Sequence, residues 1–156
     1  KTVNVKDTIA KALKYIDTRC ASMKTCNNYF RSLNRQKPIS LRQILDGKTL
    51  HIYRLKPTGA GNTNKKIPAG LCFSWGKTWV QIGINELVLI DHMEVANTLL
   101  HELAHVAGAP GRKQNPKSLG AEKSLLHCGM RKYYDPKAFG SLDRIPGPEE
   151  DRSALA

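Results

Sequence analysis

Apolar side chains at Val5, Ile9, Leu13, Ile16, Cys20 and Met23 recur at steps of three and four, the spacing that lines one face of a helix with 3.6 residues per turn. The chain is therefore predicted to open on an amphipathic helix. A break is predicted near Cys26-Asn27-Asn28, then another helical turn or two through Tyr29, Phe30 and Leu33. These turns must end before Pro38, because proline disfavours helix in the residue preceding it. Ser40-Leu41-Arg42-Gln43 has the hydroxyl and amide of a capping box, and Gly47 stands where a short helix would stop. Leu50 to Leu55 reads as a strand. Pro57 to Gly70, with three glycines, two prolines, two asparagines and two lysines, reads as a mobile or functional loop. Leu71 to Trp75 and Thr78 to Asn85 flank Gly76-Lys77 as an antiparallel hairpin.

A second strong helical signal starts at Asp91, whose side-chain acceptor is followed three residues later by Glu94. It should run to Ala107, where Gly108 can take the left-handed position and Pro110 bars continuation. A short helix from about Gly120 to Leu126, irregular chain through Pro136 and Gly140, and a last helix start at Pro148-Glu149-Glu150 complete the pattern. The expected class is α+β: a small twisted antiparallel sheet packed against the 91–107 helix, with an N-terminal helical segment.

Length and composition narrow this further. The 156 residues suit one domain, 1–156, with one core, and 40% hydrophobic residues exclude wholesale disorder. The longest dense apolar stretch, Leu87 to Ile90, is far short of the ~18–20 residues of a membrane-spanning helix, so membrane insertion is not expected. No basic n-region and apolar h-region open the chain, which fits either a protein without a secretory signal or the C-terminal part of a longer one. The net charge of +12 is uneven: residues 1–66 hold fifteen Lys and Arg against Asp7, Asp17 and Asp46, while residues 67–156 hold ten of each sign. Such a footprint attracts nucleic acid, lipopolysaccharide or an anionic membrane face, or serves solubility. Aromatics, 6% of the chain, do not interleave with the cations as stacking platforms would, so nucleic acid is not an expected partner.

Cys20, Cys26, Cys72 and Cys128 match no paired zinc-binding spacing. Their even number favours disulfides, with Cys20–Cys26 and Cys72–Cys128 the expected pairing of three.

The chemistry lies in His101-Glu102-Leu103-Ala104-His105. This is H-E-x-x-H inside a segment separately predicted to be helical, the context the motif requires. Residues four apart differ by about 40° around the axis and ~6 Å along it, so both imidazoles leave one face and can grip one metal ion. Glu102 projects beside them, placed to accept a proton from an activated water. Imidazole and carboxylate donors suit Zn²⁺. A catalytic zinc takes a third protein ligand. Gly108 matches the glycine of the extended metzincin pattern H-E-x-x-H-x-x-G-x-x-H, but Gly111 stands where that pattern has histidine. Glu122, His127, Glu149 and Glu150 remain as candidates.

The motif with an acidic ligand further along the chain resembles the gluzincin group of zinc metallopeptidases. Within it, a small basic domain carrying HELAHVAGAPG resembles metallopeptidase toxin modules, in particular the C-terminal effector domains of VgrG-type spike proteins of the bacterial type VI secretion system. The likeness is firm over residues 91–111 and looser elsewhere. It implies a zincin-like fold, Zn²⁺ held by His101, His105 and a downstream glutamate, of which it favours Glu149, and Glu102 as the catalytic base. It also implies a protein or peptide substrate in a target cell and a cognate immunity protein; for such a secreted hydrolase the four cysteines favour a compartment where disulfides persist, the target periplasm, with the cytoplasm as the alternative. Thr78 to Asn85, directly before the metal helix, is where zincins place an edge strand that pairs with extended substrate. The competing reading is a basic binding module, for nucleic acid or an anionic envelope, whose metal site is structural or inert. His127 and the tyrosines, among them Tyr133 and Tyr134, are candidate oxyanion donors; His51 and His92 read as surface or capping groups.

Overall fold

The computed structural model describes residues 4–57, 70–111, 115, 118–137 and 150–154. Helix α1 (Val5–Tyr15) is capped by Asn4, whose side chain accepts from the Asp7 amide, and it continues into a π-helical turn over Ile16–Cys20. The predicted amphipathic face is present: Ile9, Ala12, Ile16 and Cys20 are buried. The break falls at Ala21–Met23 rather than at Cys26-Asn27-Asn28, which lie inside α2 (Lys24–Ser32). Asn27 explains the shift. Its Nδ2 donates back to the Ala21 and Met23 carbonyls and its Oδ1 accepts from the Arg42 amide, so a residue type that usually punctuates helices is used here to tie two elements together. Helix α3 (Leu41–Gly47) carries the full capping box between Ser40 and Gln43.

Strands β1 (Thr49–Pro57), β2 (Gly70–Trp75), β3 (Trp79–Asn85) and β4 (Glu150–Ala154) form one sheet in the order β2-β3-β1-β4. The α+β class holds, but the sheet is mixed rather than antiparallel: β2/β3 and β1/β4 are antiparallel, whereas β1 and β3 run parallel from Thr49↔Trp79 to Leu55↔Asn85. The reason is topological. The hairpin docks with its second strand against β1, and that strand points the same way as β1. Two corrections follow. The 78–85 strand is interior, with β2 as the edge on that side. Glu150, expected to open a helix, opens β4 instead. Most of the predicted 57–70 loop lies outside the described residues.

Helix α4 (His92–Ala107) is capped by Asp91, which accepts from the Met93 amide, while Glu94 is taken by Asn97 instead of closing a box. From Thr98 to Ala107 every residue of α4 is buried, as befits a helix apolar nearly all round. It packs on β2 and β3 on one side and on α1 and α5 (Gly120–His127) on the other. One bridge, Cys26–Cys128, joins α2 to the end of α5, and Cys20 and Cys72 are buried free thiols. The expected pairing is thus replaced by one of 102-residue separation, because folding brings the 20–26 and 127–129 segments together while Cys72 lies in the sheet beneath α4. No described helix is long and apolar enough to cross a membrane.

Candidate metal centre

Buried polar groups are costly unless partnered, and α4 carries three in five residues: His101, Glu102 and His105 are 7%, 2% and 1% exposed. The two imidazoles stand one turn apart with ring centroids 5.2 Å from each other. Each has its Nδ1 fixed. His101 Nδ1–H donates to Glu122 Oε1 at 2.7 Å, and His105 Nδ1–H donates to the Ala109 carbonyl at 2.9 Å. A carbonyl can only accept, so neutral His105 carries its lone pair on Nε2, and the carboxylate selects the same tautomer in His101. This is the arrangement in which metal-binding histidines are held, each by a carboxylate or carbonyl behind the ring.

Local sequence explains both acceptors. Gly108 has φ +126°, a conformation in which a side chain is strained, and a Cβ there would lie 2.8 Å from the Leu33 carbonyl oxygen. The glycine turns the chain sharply at the end of α4, brings the Ala109 amide onto the Ala104 carbonyl at 3.0 Å, and aims the Ala109 carbonyl back at His105. Glu122 sits in the first turn of α5, where the helix dipole favours a carboxylate. It is 5% exposed. Its second oxygen, Oε2, accepts from the Asp135 amide at 2.8 Å, so both carboxylate oxygens already face donors. Burial works against a charge on His101, but the Glu122 hydrogen bond and the nearby Glu102 carboxylate outweigh it and raise its pKa above the ordinary value.

Glu102 lies against the head of the edge strand. A Cβ on Gly70 would come within 3.2 Å of Glu102 Oε2 and 2.6 Å of Thr98 Cγ2, so only glycine lets β2 approach the carboxylate this closely. Behind it, the Cys72 thiol is pushed well up by burial and by the negative charge of Glu102, which keeps it protonated.

Of the third-ligand candidates, Glu122 stands behind His101 as a hydrogen-bond acceptor. His127 is exposed at the end of α5 and stacks on Tyr29 at 4.3 Å. Glu149 lies outside the described residues, as does the Glu150 side chain. Among the described residues no group of three or more His, Cys, Asp or Glu is arranged to hold a metal. Two buried imidazoles of fixed tautomer one turn apart are donors that suit zinc, and the Glu102 carboxylate lies on the same helix. Tyr133 and Tyr134 are half-buried, and His51 and His92 stand apart from the motif. An open concavity of about 390 Å³ lined by Val5, Arg54, Leu87 and Ile90 lies toward the other end of α4. Reading the sequence alone misses the Ala109 carbonyl, the Asp135 amide and Gly70. The first had a signal in Gly108-Ala109-Pro110, since a glycine at a helix end reverses the chain onto its last turn; the other two depend on tertiary contacts.

No protein-family model, no curated protein and no solved structure matches the chain.

Proposed function

We propose that the chain is a zinc-dependent metallopeptidase of zincin type, with His101 and His105 as ligands and Glu149 as the third. The observation that carries this reading is the pair of buried histidines one turn apart on α4, each with Nδ1 held by a dedicated acceptor. A Zn²⁺ ion bound there supplies Lewis-acid chemistry, polarising a peptide carbonyl and acidifying water. Glu102 takes the proton from the attacking water as the new C–O bond forms, and delivers it to the departing amine nitrogen as the C–N bond breaks. Glu122 and the Ala109 carbonyl keep the two rings from turning. β2, whose Gly70 lies against Glu102, is the strand nearest to where an extended peptide would pass the carboxylate.

The biological setting we infer is that of an antagonistic bacterial effector acting on protein in the target periplasm. The Cys26–Cys128 bridge supports an oxidising compartment. Two experiments test these proposals. Purified protein should hold about one Zn²⁺; His101→Ala and His105→Ala should lose it, while Glu102→Gln keeps it and loses all peptidase activity. Peptidase activity retained in Glu102→Gln refutes Glu102 as the base, and absence of peptidase activity from the zinc-loaded parent protein refutes the enzyme reading and leaves a basic binding module with a structural metal. Expression in a susceptible bacterium with and without a periplasmic signal peptide tests the compartment, since Glu102-dependent killing from the cytoplasm alone would overturn it.

A further inference from the structure

Two stretches of this chain carry no acidic residue, and of the four carboxylates that flank them the exposed Asp17 and Asp46 are paired with Arg42, Asp135 is exposed and Glu122 is buried. Between Asp17 and Asp46 there is none, and between Glu122 and Asp135 there is none; Glu122 itself is turned inward onto His101. The fold stitches these two stretches together. The Cys26–Cys128 bridge joins them covalently. Cys20 Sγ donates to the Cys128 carbonyl at 3.3 Å and Thr25 Oγ1 to the His127 carbonyl at 2.9 Å. The Tyr29 ring stacks on His127, and its hydroxyl donates to the Gly120 carbonyl at 2.6 Å. The exposed side chains of the joined segments include Arg19, Lys24, Arg31, Lys123, Arg131 and Lys132, and no ion pair is formed by any of these six among the described residues. Segments about a hundred residues apart in sequence, each bearing exposed cations, thus lie side by side where α2 packs on α5.

The character of this face limits its partner. Its rings are occupied: Phe30 is fully buried, Tyr29 is stacked, and Tyr133 and Tyr134 pack half-buried against the core, so no aromatic platform stands out for bases to stack on. The exposed large apolar side chains among the described residues, Trp75, Leu87 and Ile90, belong to neither stretch, so nothing here inserts into hydrocarbon. What remains is a spread of exposed cations without an ion pair among the described residues, of which Lys132 lies over the Tyr133 ring and Arg31 donates to Asn28 Oδ1. Such a spread needs no register with its ligand, which suits the laterally mobile phosphates of a bilayer. We infer that the α2–α5 face is an adsorption surface for anionic phospholipid headgroups, holding the protein on a membrane without insertion. This inference rests on charge and topology and is independent of the peptidase reading.

The test uses the full chain and vesicles of phosphatidylglycerol mixed with phosphatidylcholine, against phosphatidylcholine alone, in co-sedimentation. Binding should require phosphatidylglycerol and weaken as salt is raised. Lys24→Glu/Lys132→Glu should lower partitioning by about fivefold or more for each cation lost. Lys6→Glu/Lys77→Glu, with the same change in net charge at exposed sites outside both stretches, should lower it far less. Circular dichroism and thermal unfolding matched to the parent protein establish that both variants are folded. Equal losses in the two variants would mean that net charge alone acts, and absence of binding to anionic vesicles would overturn the proposal outright. Duplex DNA binding that depends on Lys24 and Lys132, with no vesicle binding, would assign the face to nucleic acid instead.

Discussion

Glu122 offers the sharpest test of the site, because its two oxygens serve two different donors. Replacing it by alanine leaves His101 Nδ1–H and the Asp135 amide facing a void where they now have acceptors at 2.7 and 2.8 Å. Each stranded donor costs about 1–3 kcal/mol, so Glu122→Ala should destabilise the metal-free protein by roughly 2–6 kcal/mol. Loss of the acceptor behind a metal-binding imidazole typically weakens the metal about 10–100-fold. Glu122→Gln is more discriminating. A carboxylate accepts at both oxygens, whereas a carboxamide accepts at one and turns its own NH₂ toward the other donor, so this variant should lose roughly 1–3 kcal/mol and bind zinc at intermediate strength. Urea denaturation in the presence of a chelator measures the first quantity, and zinc competition against a chromophoric chelator measures the second. If Glu122→Ala changed neither, the hydrogen bonds described here would not be those holding His101. If zinc binding vanished altogether while metal-free stability was untouched, Glu122 would itself be a ligand.

Glu149→Ala should lower zinc affinity while leaving the stability of the metal-free protein unchanged, and undiminished affinity in competition would exclude it as the third ligand. Gly108→Ala should cost at least about 2 kcal/mol, because its φ suits no side chain and the added methyl meets the Leu33 carbonyl; zinc should weaken with it as the Ala109 carbonyl leaves His105, and a variant as stable as the parent refutes the account. Reducing Cys26–Cys128, which closes a separation of 102 residues, should remove about 4–5 kcal/mol by the loop-entropy account, read as a lower urea midpoint. Because the folded state holds the His101 proton more tightly than the unfolded chain does, that stabilisation of the metal-free protein is complete below the ordinary histidine pKa and is lost as pH rises through the raised folded value. Zinc competes for the same imidazole and should bind better over that window; the comparison is His101→Gln, and identical pH profiles would refute it.

What could be read from the residues divides along a physical line. The Ser40–Gln43 box, the Asp91 cap and the Gly108 stop depend on side chains acting within four positions of themselves, and each appears where the pattern puts it. The 16-residue α4 is signalled by its own periodicity, and with it the placement of His101, Glu102 and His105 on one helix. Long-range choices were not legible. The parallel pairing of β1 with β3 depends on which hairpin strand docks first, and both hairpin strands are apolar enough to do so. Four cysteines allow three pairings, and the actual one follows from α2 lying along α5. Glu122 could be seen as important, but whether a carboxylate meets a metal or the ring behind it is decided by a few ångströms that spacing does not encode. Asn27 misled for the opposite reason: its local preference is to break a helix, and a tertiary bond to Arg42 overrides it.

Cys20 gives the bridge an additional property. Its sulfur lies on the Cys128 carbonyl, next to a disulfide it could attack, yet burial pushes its thiol up to about 11. Thiol–disulfide exchange proceeds through the thiolate, and raising the pKa from 9.0 to about 11 cuts the ionised fraction near neutral pH by about a hundredfold. The molecule therefore keeps a potential scrambling partner beside its one described bridge in a chemically silent state. Once the helices have closed around Cys20, the native pairing persists kinetically, and unfolding, which also exposes Cys72, is what would let the four sulfurs shuffle.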